Sequence, residues 1–126
     1  MIKEAYCSKE VSKLLKEKGF NEPCFYYYKD GVLMFSPFLK GRNSYQTNTY
    51  SAPTHQMAIA WLREVHNICI TIYPDKEKGY EAVLYDIEND VEIILQSFGV
   101  YGIHIYKEIY EEAVEAALKY VLENLI

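Results

Sequence analysis

Apolar residues recur at helical spacing in three places along the 126-residue chain. In "SKEVSKLLKEKGF", Val11, Leu14 and Leu15 form one stripe, and Lys9, Lys13 and Lys16 cover much of the remaining surface. Ser8 is placed to cap this helix. Gly19 suits the left-handed position after its last turn, which would fold Phe20 back onto Leu15. A second stripe joins Met57, Trp61 and Val65, with Ala58 and Leu62 beside them. Pro53 fits a first turn, Ser51 and Thr54 are available caps, and Asn67 can close the helix. The third stripe is continuous: Tyr110, Val114, Ala117, Leu118, Val121 and Leu125. Glu108, Glu111 and Glu112 gather at its start, where the helix dipole favours negative charge.

The segments between carry strand patterns. "CFYYY" (24–28) and "VLMFS" (32–36) flank Asp30-Gly31, a strong local hairpin signal, and Pro37 ends the second run. Phe25 and Tyr27 share one face of the first strand and Tyr26 and Tyr28 the other, so one pair is expected in the core. "ICITIY" (68–73) is β-branched and apolar and predicts a central strand. A turn over 74–79 leads to the alternating "YEAVLYD" (80–86), and "IEND" turns into "VEIILQ" (91–96). "GVYGIHIY" (99–106) holds two glycines and fits either a short edge strand or a turn. The resulting order is α-β-β-α-β-β-β-α. It predicts one α+β domain over residues 1–126, a largely antiparallel sheet of about five strands with three helices packed on one face.

Residues 41–54, "GRNSYQTNTYSAPT", are the longest stretch without a period. The last four residues serve the second helix as caps and first-turn proline. The ten before them are near the upper length for a loop with no structure of its own.

Composition sharpens this frame. Thirteen tyrosines suit a half-buried sheet face or a contact surface, because a Tyr ring can pack while its hydroxyl stays wet. The net charge of −5 divides unevenly. Residues 1–66 hold nine Lys/Arg against six Asp/Glu (+3), and residues 67–126 hold four against twelve (−8). The acidic half would repel a phosphate backbone. Three cysteines without a C-x-x-C pair fit reduced thiols in the cytoplasm. The N-terminus lacks the apolar core of a signal peptide, and no apolar run approaches a membrane span, so no membrane association is expected.

Motifs for established chemistries are missing. His55 and His66 fall on one face of the predicted second helix but about 16 Å apart along its axis, too far to chelate one ion. No clustered Cys/His spacing, phosphate loop or nucleophile elbow occurs, so no metal, cofactor or catalytic residue is expected. Glu111, Glu112, Asp86, Glu88 and Asp90 sit at a helix start and a hairpin turn, where solvent keeps carboxylates ordinary. Cys7 alone among the thiols stands near a helix N-terminus, where a dipole could favour a thiolate.

"CSKEVSKLLKEKGF" (7–20), "APTHQMAIAWLREVHN" (52–67) and "YEEAVEAALKYVLENLI" (110–126) together resemble a family of short proteins from gut-anaerobe bacteria and their phages and mobile elements. That family has no known activity, so the resemblance implies a bacterial, cytoplasmic, accessory role and no site residues. Residues 80–126 also resemble the hairpin-then-helix ending of HicB-type antitoxins.

Three functional readings follow. The first is a non-enzymatic protein that contacts a protein partner or itself, through a surface made of Tyr26, Tyr28, Lys40, Arg42, Tyr45 and Tyr50. The second is a nucleic-acid-associated regulator using Lys40, Arg42, Tyr45 and Tyr50. The third is an enzyme whose site is assembled from scattered residues such as Cys7, His55 and Glu64.

Overall fold

Local signals set the ends of the helices. The computed structural model describes residues 2–37, 43, 48–93 and 105–126. Helix α1 spans Lys9–Glu17, and the Ser8 hydroxyl accepts from the Val11 amide at 3.2 Å. At its other end Gly19 takes a φ of 93°, Phe20 N–H bonds Leu15 C=O at 2.9 Å and Gly19 N–H bonds Lys16 C=O at 3.1 Å. These two bonds form a Schellman ending, and they deliver the fully buried Phe20 to the core. Helix α2 spans His55–His66. Its cap is Thr54, whose hydroxyl accepts from Met57 N–H, and Asn67 closes it in the left-handed conformation at a φ of 56°. Helix α3 spans Tyr110–Asn124. It has no side-chain cap, and Glu111 and Glu112 in its first turn offset the dipole instead.

The strands form two antiparallel sheets where one of about five strands was expected. The first sheet has the order β2-β1-β3, built from β1 (Tyr26–Lys29), β2 (Val32–Phe35) and β3 (Thr49–Ser51). Asp30 and Gly31 both have positive φ, 51° and 78°, which is the type I′ turn their sequence favours. β3 lies inside the aperiodic polar stretch. A three-residue strand is too short to show a period, so pairing with β1 decides it. Its outer edge is held by Asn43, whose side chain accepts from Ser51 N–H and donates to Phe20 C=O.

The second sheet contains β4 (Ile68–Asp75), β5 (Gly79–Asp86), β6 (Val91–Ile93) and β7 (Ile105–Lys107). β5 is central: it pairs with β4 along one edge, and β6 and β7 share the other. Among the described residues β4 is an edge strand, which corrects the expectation for "ICITIY". Its apolar run reflects Ile68 and Ile70 buried on one face, not neighbours on both sides. Pro74 belongs to β4 and is tolerated because that edge needs no N–H from it. β7 settles the ambiguous 99–106 segment at its end, and residues 99–104 lie outside the described residues.

One core unites the second sheet and all three helices, and Cys24, just before β1, is its nearest member to the small sheet. α3 contributes two adjacent buried rows, Ala113-Ala117-Val121 and Val114-Leu118-Leu122, so it is covered on a wide front by the second sheet, α1 and α2. Tyr110, expected in this stripe, is 45 % exposed, because it precedes the covered turns. On α2 the buried residues are His55, Ala58, Trp61 and Leu62, while Met57 and Val65 are exposed. The buried face is therefore rotated from the expected one toward His55. No described helix is long and apolar enough to cross a membrane.

Among the described residues Gly79 is the glycine the fold constrains most. Its φ is 91°, and a Cβ there would lie 2.5 Å from Lys107 C=O and 2.7 Å from Glu108 Cα. Gly79→Ala should cost about 1–3 kcal/mol of unfolding free energy in urea titrations. Gly19→Ala has a similar φ but open space, so it should cost only about 1 kcal/mol. Equal losses would show that the approach of β7 adds nothing.

Candidate functional site

Two places concentrate unusual features. The first is the outer strand of the small sheet. All four residues of β2, Val32, Leu33, Met34 and Phe35, are apolar and between 39 % and 57 % exposed. Ser36 N–H bonds Phe25 C=O, which makes these two a hydrogen-bonded pair. Alternation then directs the backbone of Met34 and Val32 toward β1 and that of Leu33 and Phe35 away from it. Consistently, Tyr26, the partner of Phe35, turns its carbonyl to β3, where Ala52 N–H donates to it. Leu33 and Phe35 thus present their N–H and C=O groups on a strand edge with no strand partner among the described residues.

The neighbouring tyrosines are half-buried, and neither alternating pair enters the core as expected. Tyr26, Tyr28 and Tyr50 share one face of this sheet. Tyr26 packs between the rings of Tyr6 and Phe35, at 4.4 and 5.3 Å. Tyr28 donates its hydroxyl to Cys7 C=O at 2.9 Å. Lys16 sets its ammonium 5.6 Å from the centre of the Tyr50 ring. These three rings join the sheet to the N-terminal segment and α1. The remaining expected contact residues, Lys40, Arg42 and Tyr45, lie outside the described residues, as does His104.

The second place is a polar node inside the helical layer. The N-terminal segment lies antiparallel to residues 53–55: Cys7 N–H bonds Pro53 C=O at 2.9 Å and His55 N–H bonds Ala5 C=O at 3.0 Å. This pairing brings Cys7, just before α1, to His55, the first residue of α2. Glu115 reaches them from the middle of α3. Its Oε1 lies 2.8 Å from His55 Nε2 and accepts from the Ser8 amide at 2.8 Å. The Cys7 sulfur, the imidazole and the carboxylate offer three atoms within 4.8 Å of one another. His55 and Glu115 also face a cleft of about 700 Å³ whose walls include Glu10, Lys107, Glu111, Glu112 and Lys119.

Sequence reasoning paired Cys7 and His55 with Glu64. Glu64 is exposed on α2 beside Arg63, and Glu115 supplies the carboxylate instead. Glu115 is the single charged residue in "AVEAAL" (113–118), surrounded by positions the fold buries. A lone charge within a buried apolar run is the signal that could have identified it. His66, the last residue of α2, packs edge-on against Trp61 with ring centres 4.7 Å apart, and its Nε2 is buried without a hydrogen-bond partner among the described residues.

Electrostatics distinguish the possible chemistries of the node. Burial raises the Glu115 pKa, but hydrogen bonds from His55 and Ser8 outweigh it and hold the carboxyl below its ordinary value of 4.5. Burial, reinforced by the nearby Glu115 charge, pushes the Cys7 thiol well above 9.0. A completely buried, protonated thiol is a poor nucleophile, whatever lies beside it. Cys24, also buried, is pushed up to about 12.

Three outcomes check this description. Glu115→Ala leaves the Ser8 amide and His55 without their acceptor and should cost about 1–3 kcal/mol. A depressed folded pKa stabilises the fold above the unfolded value, and that gain is lost as pH falls through the folded value. Glu115→Gln should therefore flatten part of the acid limb of stability below about pH 4.5, measured by urea titration from pH 3 to 7. Identical acid limbs would separate Glu115 from acid stability. In alkylation at pH 8, Cys69, which is partly exposed, should react while Cys7 and Cys24 stay protected until the protein unfolds.

No protein-family model, no curated protein and no solved structure matches this chain.

Proposed function

We propose that this chain is a small, non-enzymatic interaction protein of bacterial or mobile-element origin, and that its contact element is the free edge of β2. The observation that carries the reading is the four-residue apolar strand whose outward N–H and C=O groups face no other strand among the described residues. Proteins ordinarily blunt such an edge with a charge, a proline or a bulge. β2 contains none of these, and Pro37 stands beyond its end. An extended segment laid along the edge would gain main-chain hydrogen bonds from Leu33 and Phe35 and apolar contacts on both faces.

A second copy of the chain fits this edge. Antiparallel pairing of β2 with β2 about a two-fold axis sets "VLMF" against itself, and no like charges meet within the strand. Asp30 of one copy would fall near the Ser36-Pro37 end of the other. A reducing, cytoplasmic setting suits three free thiols, two of them buried.

Light scattering across a concentration series should show a monomer–dimer equilibrium. Leu33→Pro should shift it to monomer at unchanged helix content, because it removes an outward N–H and none of those bonded to β1. A strict monomer would sink the self-pairing. A monomer that also retrieves no partner from a bacterial lysate would sink the interaction reading as a whole.

A further inference from the structure

We propose that Cys7, His55 and Glu115 form a binding site for a zinc-class divalent cation, with its open coordination position facing the acidic cleft. The three residues supply one sulfur, one nitrogen and one oxygen from three different elements, within 4.8 Å of one another. A thiolate with an imidazole selects Zn²⁺ and its relatives, whereas Mg²⁺ and Ca²⁺ require oxygen ligands throughout. Three protein ligands with a fourth, solvent-facing position are the arrangement of an open zinc site.

The required adjustment is small. Zinc bonds of about 2.0–2.3 Å at tetrahedral angles place ligand atoms roughly 3.3–3.6 Å apart. The His55–Glu115 separation of 2.8 Å must open slightly, and the sulfur must approach by about 1 Å, within reach of side-chain rotation. The supporting groups are present. Ser8 N–H orients the Glu115 carboxylate, and the Tyr28 hydroxyl and Pro53 carbonyl fix the Cys7 backbone. The route in is favourable for a cation, because among the described residues the cleft walls carry Glu10, Glu111, Glu112 and Glu115 against Lys107 and Lys119.

The protons balance as follows. The Cys7 S–H proton leaves to solvent and the thiolate binds the metal. The proton that Nε2 shares with Glu115 moves to Nδ1, so neutral His55 binds through the Nε2 lone pair, and Glu115 binds as the carboxylate. Thiolate and carboxylate together neutralise the 2+ charge, water takes the fourth position, and one proton is released per ion. Because the sulfur binds only as a thiolate, binding should tighten as pH rises.

The test uses the full chain with Co²⁺ as a spectroscopic probe and Zn²⁺ in competition with a chromophoric chelator. The site predicts one ion per chain, a Zn²⁺ Kd at or below about 1 µM and a thiolate-to-cobalt charge-transfer band that Zn²⁺ abolishes. Cys7→Ser should remove the band and weaken Zn²⁺ binding at least about 100-fold. Glu115→Gln, nearly isosteric and able to keep the Ser8 bond, should weaken it about tenfold or more while the band persists. Proton release on Zn²⁺ addition, followed in weak buffer, should approach one per chain.

Cobalt bound without a charge-transfer band would assign the ion to surface carboxylates and overturn the proposal. So would a band that survives Cys7→Ser, or Zn²⁺ affinity unchanged by Glu115→Gln. Absence of binding would leave the node as an internal hydrogen-bond clasp only.

Discussion

The Glu115 carboxylate is the constraint around which the helical layer closes. It sits halfway along α3, on a helix whose neighbouring turns are sealed by the core. It faces the cleft on one side, and Ser8 and His55 bring hydrogen-bond partners to it on the other. Those partners belong to the start of α1 and the start of α2, so a single acceptor atom ties three helices together. Without those partners the half-buried carboxylate would lose hydrogen bonds that offset its desolvation. Packing of α1 on α3 and hydrogen bonding at Glu115 are therefore mutually dependent.

The same closure explains how the small sheet is attached. Tyr28 reaches Cys7, Tyr26 meets Tyr6, and Lys16 holds both the Thr49 carbonyl and the face of Tyr50. Every one of these contacts runs to the N-terminal segment or α1. The tyrosine surplus thus fastens one face of the sheet to the helices. The contact surface proposed above is therefore the apolar edge of β2 and not the Tyr face, which these contacts occupy.

The two proposed sites also differ in stiffness. The node lies between helices and would present a prearranged set of ligands. β2 belongs to a short hairpin with one strand neighbour, where local opening is cheap and pairing with a further strand would add order. An ion at the node would reinforce the N-terminal strap to which the small sheet is fastened, so the two regions are physically connected through Cys7 and Tyr28.

What the sequence determined by itself was local. Helical periods placed α1, α2 and α3. Ser8, Thr54, Gly19 and Asn67 fixed ends through bonds made within a few residues, and Asp30-Gly31 specified a turn by its own φ preferences. Those signals need no tertiary partner, and the α+β, antiparallel class followed from them. Tertiary structure alone decided which strands became neighbours. β3 exists because β1 offers it an edge, and β4 stays at the border because β6 and β7 both pair with β5. It also decided the node. Cys7 and Glu115 are separated by more than a hundred positions, and no spacing along the chain could reveal that they share one polar pocket. Their meeting depends on three helices packing at once, and only the folded chain satisfies that condition.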